Sequence, residues 1–322
     1  MVKQQSEYCI YVENLMKKFG KNILAVNDIS FSVKYGKVFG FLGPNGAGKT
    51  TTIKLLTTLI PPSGGIAYVF GNDITKNGLE IRKRIGVVSQ PPSYESNLTV
   101  NDALDLYGLL WKVRGEKRAE KLKEILRVFD LVSIKNTKNG ELSVGQRRRV
   151  QVAREFMHDM DLLFLDEPTV GLDPSARRSL LDFIKAQVRS GLTVFFTTHI
   201  MEEAEYLCDE IAIINGGKII AFDTPKGLKQ KYSVSKNIEV RFKTTAAKVV
   251  VDMIESIIDK TRAEVVGPYE LIIKADNPQE AIIKLIQLLT KMEIEIDSIS
   301  VNPPSLEDVF LTIVNDSKTK QS

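Results

Sequence analysis

Cysteine is nearly missing. Cys9 and Cys208 are the only two in 322 residues. They lie far apart and in no paired spacing, which excludes a disulfide framework and a cysteine metal cluster and points to a reducing compartment. Long hydrophobic runs are also missing: no stretch of about 18 apolar residues occurs that could span a bilayer. The opening MVKQQSEYCI has no apolar core of a signal peptide. Charge of one sign is lacking too. Lys and Arg number 44 against 40 Asp and Glu, a net charge of +4, too small and too dispersed for a nucleic-acid partner. The clusters Arg82-Lys83-Arg84 and Arg147-Arg148-Arg149 read as solvated helix ends. No internal repeat or low-complexity tract stands out.

What is present is ordinary globular material, 43% hydrophobic and 26% charged, enough for one large domain and one smaller one. Alternating segments at Tyr8 to Val12 and Ile23 to Val33 read as strands. A short apolar strand at Lys37 to Leu42 runs into a Gly-rich turn and then a helix from Lys49 to Leu59. Residues 97–155 read mostly as helix. Apolar strands return at Leu162 to Leu165, Thr193 to Thr198 and Glu210 to Ile214. Helices from Pro174 to Ser190 and Met201 to Leu207 separate them. That alternation predicts an α/β fold with a parallel sheet covered on both faces. Asn215-Gly216-Gly217 between apolar runs signals a hairpin. Beyond a composition shift at 232–237 the order becomes strand (Ile238 to Phe242), helix (Ala246 to Ile258), two strands (Ala263 to Val266, Tyr269 to Lys274), helix (Pro278 to Met292) and strand (Ile294 to Val301). This is the order of a split βαβ, ferredoxin-like unit. The closing SKTKQS reads as frayed.

Residues 43–50, GPNGAGKT, match GxxxxGK[ST] without exception, with a strand before and a helix after. Glycines let such a loop turn its N–H groups inward, and the helix start adds positive potential to an anion site. Lys49 is placed for the β- and γ-phosphates and Thr50 for Mg²⁺. The competing reading is an unliganded Gly-rich turn. At 162–167, Leu-Leu-Phe-Leu-Asp-Glu ends a buried strand in two carboxylates, facing the crevice where ligands sit in such sheets. Asp166 suits Mg²⁺ and Glu167 a water to be polarised; an exposed strand end is the alternative.

A third motif goes further. Leu142-Ser143-Val144-Gly145-Gln146 resembles the LSGGQ signature of ABC ATPases. The order GPNGAGKTT, Gln90, LSVGQRRR, LLFLDEPT, GLD, TTH is similar to that family over residues 5–230. Within it, the accessory tail and its ending Pro-Pro-Ser305-Leu-Glu-Asp-Val-Phe310 resemble drug-efflux-type ATPases of the DrrA and NatA kind. The resemblance implies a P-loop NTPase fold with an antiparallel β subdomain and a helical subdomain. It implies an ATPase domain over 1–232, with the helical part at about 91–155, and an accessory α+β domain over 237–316. ATP and Mg²⁺ are the implied cofactors.

The resemblance also implies roles. Gly43, Pro44, Asn45, Gly46, Ala47, Gly48, Lys49, Thr50 and Thr51 would hold the phosphates. Thr50, Gln90 and Asp166 would hold the metal, and Glu167, His199 and Gln90 would act in catalysis. Phe19 would stack on adenine, with a core aromatic as the alternative. Ser143, Gly145 and Gln146 would reach the nucleotide of a second, head-to-tail copy, and Asp173 would communicate across that dimer while also suiting a helix N-cap. His158 reads as structural. A separate membrane permease would dock near Pro91 to Leu110, with Tyr94, Leu98 and Tyr107 as candidates for that surface or for internal packing. The implied place is the inner face of the cell membrane. An importer ATPase, a ribosome- or DNA-acting protein of the family and a nonenzymatic ATP binder are the rival functions. Two positions depart from the family: Val144, where a positive φ would mean strain, and Val170, before Gly171-Leu172-Asp173.

Overall fold

The computed structural model describes residues 7–20, 23–91, 93–232, 236–245, 248, 250–251, 262–275, 277–302 and 305–319. The chain divides into two compact units, Met1–Pro225 and Lys226–Ser322.

The first unit holds two sheets. The central one has six strands: β3 (Val38–Leu42), β6 (Ile85–Val88), β7 (Leu162–Asp166), β8 (Thr193–Thr198), β9 (Glu210–Asn215) and β10 (Lys218–Asp223). Their order is β10-β9-β3-β8-β7-β6. All neighbours are parallel except the hairpin β9/β10, which turns at Gly216 and Gly217. Every residue of β3, β7 and β8 is buried, as strands covered on both faces must be. Phe39, Phe41 and Phe164 gather around Phe195 at centroid distances of 5.5–5.6 Å. The parallel register sets Leu42 beside Thr198 and Asp166 beside Thr197, so the carboxyl ends of β3, β8 and β7 open on one crevice.

The second sheet is antiparallel, in the order β2 (Ile23–Lys34), β1 (Tyr8–Phe19), β4 (Gly64–Val69), β5 (Asn72–Asp73). The first strand is longer than its alternation suggests. β1 (Tyr8–Phe19) pairs with β2 (Ile23–Lys34) through bulges, with Asn14 and Asp28 both at positive φ and hydrogen-bonded to each other at 2.8 Å. Two short strands have no sequence counterpart, β4 (Gly64–Val69) and β5 (Asn72–Asp73), because a glycine pair opens the first and the second spans only two residues.

The helices of this unit are α1 (Lys49–Leu56), α2 (Gly78–Arg82), α3 (Val100–Leu110), α4 (Gly115–Val128), α5 (Val144–Glu155), α6 (Pro174–Arg189) and α7 (Met201–Leu207). α1 stops before the expected Leu59, where the Thr57 hydroxyl bonds the Ile53 carbonyl at 2.8 Å and Thr58 turns to φ 61°. The long helical stretch is three helices, interrupted where Lys112 and Asp130 adopt positive φ.

The second unit opens with α8 (Pro225–Tyr232), whose first residue falls just before the division, and has a four-stranded antiparallel sheet. Its strands are β11 (Lys236–Phe242), β12 (Arg262–Gly267), β13 (Glu270–Ala275) and β14 (Ile296–Asn302), ordered β12-β13-β11-β14. Helix α9 (Pro278–Lys291) packs Ala281, Leu285 and Leu289 into a core with Ile238, Val240, Leu271 and Ile273. The predicted helix from Ala246 to Ile258 lies mostly outside the described residues. The last helix, α10 (Leu306–Thr319), continues through Ser317 to Thr319, past the expected fraying point.

Candidate functional site

The crevice is built from three strand ends. After β3 the chain curls through Gly43–Thr50 into α1, with Gly46 at φ 80° and Gly48 at φ 112°. Any side chain at Gly43 would strike the Ile214 carbonyl, and any at Gly48 the Ala25 carbonyl. Pro44, Asn45, Gly46, Ala47, Gly48, Lys49, Thr50 and Thr51 line a solvent-open cleft of ≈ 210 Å³, together with Ala25, Gln90 and Glu167.

Lys49 is 5% exposed. Its ammonium donates to the Gly43 carbonyl at 2.6 Å and lies 3.3 Å from Glu167 Oε1. Thr50 donates its hydroxyl to Asp166 Oδ2 at 2.7 Å. Asp166 Oδ1 accepts from Thr197 at 2.6 Å. The Thr197 oxygen in turn accepts from the Glu167 N–H at 3.1 Å. Glu167 has φ 49°, a conformation uncommon outside glycine. Its Oε2 accepts from Gln90 at 3.2 Å and sits 3.3 Å from His199 Nδ1. One buried carboxylate thus meets Lys49, Gln90 and the half-exposed His199.

This donor set fits the groups implied by the sequence. Gly46 and Gly48 hold the loop at positive φ, a backbone that L side chains rarely adopt, and Gly43 and Gly48 pack directly against the Ile214 and Ala25 carbonyls, so the loop keeps a tight curl that suits a phosphate chain. Thr50 and Asp166 present a hydroxyl and a carboxylate 2.7 Å apart, the hard oxygen ligands that Mg²⁺ takes alongside phosphate and water.

Ser143, Gly145, Gln146 and Asp173 do not line the cleft. Ser143 caps α5, accepting from Gln146 N–H at 3.2 Å, and the Gln146 side chain accepts from Ser143 N–H at 2.9 Å. This reciprocal capping box fixes the helix start. Val144 occupies the first helical position and is absent from the positive-φ residues. The strain contemplated for it does not arise, because helical backbone suits an L-residue. Gly145 lies against the Gly171 carbonyl, and a side chain there would come within 3.1 Å of it. Asp173 caps α6 through Ala176 N–H at 3.0 Å, and that backbone hydrogen bond holds its carboxyl below the usual range. Phe19 is 41% exposed with Lys17 5.2 Å from its ring; it is no core aromatic. Tyr94 is exposed and Leu98 half-buried, but Tyr107 is engaged, donating to the buried Glu155 at 2.9 Å. His158 is buried and stacked on Trp111 at 3.8 Å.

The triple-arginine cluster is not a solvated helix end. Arg148 is 5% exposed. Its guanidinium donates to the carbonyls of Pro168 (2.9 Å), Asp166 (2.7 Å), Glu167 (2.6 Å) and Ser89 (2.7 Å), and to Gln151 Oε1 (2.7 Å). Burial pulls its pKa down to about 10, against the pull of Asp166 and Glu167. Thr197 also escaped the sequence reading. Its signal was a pair of hydroxyls, Thr197-Thr198, at the end of an apolar strand.

Comparison with known proteins follows the same lines. Residues 26–170 match the family described as ABC transporter. The probable multidrug ABC transporter ATP-binding protein YbhF of Escherichia coli is 42% identical over 69% of this chain, which spans only 38% of that relative's length. The daunorubicin/doxorubicin resistance ATP-binding protein DrrA of Streptomyces peucetius is 35% identical over 90% of this chain and 87% of its own. The linearmycin resistance ATP-binding protein LnrL of Bacillus subtilis is 33% identical over 94% and 97%. Among solved structures, the post-hydrolysis dimer of the ATP-binding cassette MJ0796 bound to ADP and Pi superimposes with a TM-score of 0.62 at 25% identity, over 67% of this chain and 98% of that one.

Proposed function

This chain belongs to the ABC transporter family of ATP-binding proteins, and from that premise we propose that it hydrolyses ATP to drive a separate membrane permease in export. The observation that carries the reading is the Glu167 carboxylate, buried at the mouth of the glycine loop and shared by Lys49, Gln90 and His199 within 3.3 Å.

Bound ATP supplies the scissile β–γ phosphoanhydride, and Mg²⁺, when bound, would neutralise charge on it. Lys49 exchanges its loop carbonyls for phosphate oxygens, a stronger charge-assisted contact. Thr50, Asp166 and Gln90 would hold the metal. Glu167 accepts a hydrogen bond from the attacking water and takes its proton. His199, with one nitrogen on Glu167, orients that water.

The head-to-tail dimer completes the site. Ser143 and Gly145 stand at the start of α5, away from their own cleft, and Val144 and Val170 are exposed there. A second copy would bring Ser143, Gly145 and Gln146 to the γ-phosphate, with Asp173 beside them and Phe19 against the adenine. ATP is then part of the interface and stabilises it by mass action. Export, rather than import, is favoured by the resistance proteins among the relatives. In this reading the ATPase domain spans 1–232 and the accessory domain 237–316, and the protein works at the cytoplasmic face of the membrane.

Glu167→Gln tests the reading. Steady-state phosphate release should fall by about three orders of magnitude, a loss of the size seen when a group acting in the transition state is removed. The variant should form an ATP-dependent dimer by light scattering. Normal turnover in that variant would end the assignment.

A further inference from the structure

Helix α5 begins at the signature and then runs beneath two segments that carry catalytic groups. Three of its polar side chains, Arg148, Gln151 and Arg154, recur every three residues, and each bonds main chain. Arg148 and Gln151 both hold the Ser89 carbonyl, at 2.7 and 3.1 Å, immediately before Gln90. Arg154 holds the Ser93 carbonyl at 2.6 Å. Arg148 alone also reaches the other segment, gripping the carbonyls of Asp166, Glu167 and Pro168. Its five N–H donors have five acceptors, and four of these are peptide oxygens. A rigid planar fork achieves this; a flexible ammonium does not.

The grip falls on a backbone that needs holding. Glu167 sits at φ 49°, outside the comfortable range of an L-residue. Its N–H is tied to Thr197 and its carbonyl to Arg148. The peptides on both sides of Glu167 are therefore fixed, and with them the direction of its side chain.

We propose that Arg148 is a positioning residue for hydrolysis: by clasping the carbonyls of Asp166, Glu167 and Pro168 it orients the Glu167 carboxylate, and through Ser89 it keeps Gln90 in register with it. The inference rests on Glu167 being the group that polarises water. Arg148 reaches neither the glycine loop nor Lys49, so it acts on turnover and leaves nucleotide binding alone. It also joins the signature helix directly to the carboxylate turn of the same subunit. Movement of α5 on contact with a second copy thus reaches Glu167 through one side chain.

The test is a double-mutant cycle in the full chain with Mg·ATP. Arg148→Lys keeps the charge and loses the fork. It should lower kcat by about 10- to 100-fold, the size of effect expected from a small misplacement of a catalytic group, with KM for ATP within about twofold. In the Glu167→Gln background, slow single-turnover hydrolysis should change less than about twofold on adding Arg148→Lys, because the group being positioned is already disabled. An equal fold-loss in both backgrounds overturns the positioning role, and so does an unchanged kcat. Melting temperature and ATP affinity separate this from global damage. Arg148→Gln, neutral and close in reach, replaces the lysine variant if that one folds poorly. Normal hydrolysis by Glu167→Gln alone would instead remove the catalytic assignment of Glu167, a separate failure visible in a separate arm.

Discussion

The two units bury different things. Among the described residues, every fully buried polar or charged side chain lies in Met1–Pro225, and Lys226–Ser322 buries only apolar ones. In the first unit Lys49, Arg148, Asp166, Glu167 and Thr197 are bonded to one another or to main chain around a single crevice. In the second, Ile238, Val240, Leu271, Ile273, Leu285 and Leu289 interlock without a polar atom. An unpartnered buried polar group costs roughly 1–3 kcal/mol. A fold accepts that exposure to failure where the groups have work to do. Among the described residues of the second unit, polar contacts stay part-buried or exposed, as where Lys274 and Asn237 donate to Asp308 at 2.6 and 3.1 Å.

The comparison breaks first at Lys49. Lys49→Ala should weaken ATP binding by about 100-fold, on the order of 3 kcal/mol for a charge-assisted contact, and abolish turnover without unfolding the chain. Calorimetric titration with the nucleotide and a far-ultraviolet circular dichroism spectrum check both halves. Affinity held within threefold would mean that this buried ammonium is structural. The opposite result belongs to Leu285, in the apolar core. Leu285→Ala should remove about 2–5 kcal/mol of stability through the lost transfer energy and the cavity left behind. KM for ATP should stay within about twofold. Urea denaturation alongside kinetics would show whether packing in the second unit reaches the crevice.

Acid should sharpen the contrast most gently. Burial pushes the His158 imidazole down to about 4. The unfolded chain takes up that proton near pH 6.5, so between these values the folded state binds fewer protons. The stability tied to a neutral His158 is therefore complete above about pH 6.5 and declines as pH falls towards 4. In the second unit burial would raise Asp308, but hydrogen bonds from Lys274, Ser305 and Asn237 outweigh it and hold the carboxyl at about 2. Its contribution is complete above about pH 4 and fades as pH falls through 2. The first unit should therefore soften at the higher pH. Trp111, the one tryptophan in the chain, lies against His158, and its fluorescence against pH reports that step. A single coincident transition in both units would contradict the assignment.

Much of the crevice was legible because its side chains announce themselves. Lys49 and Thr50 follow a glycine loop, and Asp166 and Glu167 follow an apolar strand. The spacing alone places them at sheet ends. Arg148 was illegible for a physical reason: four of its five partners are peptide oxygens, which have no letter in a sequence. Its neighbours Arg147 and Arg149 are charged in the same way but lie over Tyr94 and beside Asp130, so a run of three identical residues concealed one buried member. That the central sheet is parallel and covered on both faces followed from strands alternating with helices; the order of its strands did not. The bulged β1 and the brief β4 and β5 did not, because their pairing is decided by distant strands. Phe19 admitted two readings, a ring for adenine or a core aromatic, and its exposed ring at the end of β1 excludes the second.

The capping box at the start of α5 leaves a precise remainder. A hydroxyl owns one hydrogen and two lone pairs. Ser143 gives one lone pair to the Gln146 amide, while the Gln146 side chain occupies the Ser143 amide. The hydrogen on the oxygen is still unspent, and its swivel is limited by the anchored atom that bears it. In the dimeric reading, what the helix start would offer an incoming anion is a single hydrogen on an already anchored oxygen, whose mounting consumes none of what it has to give.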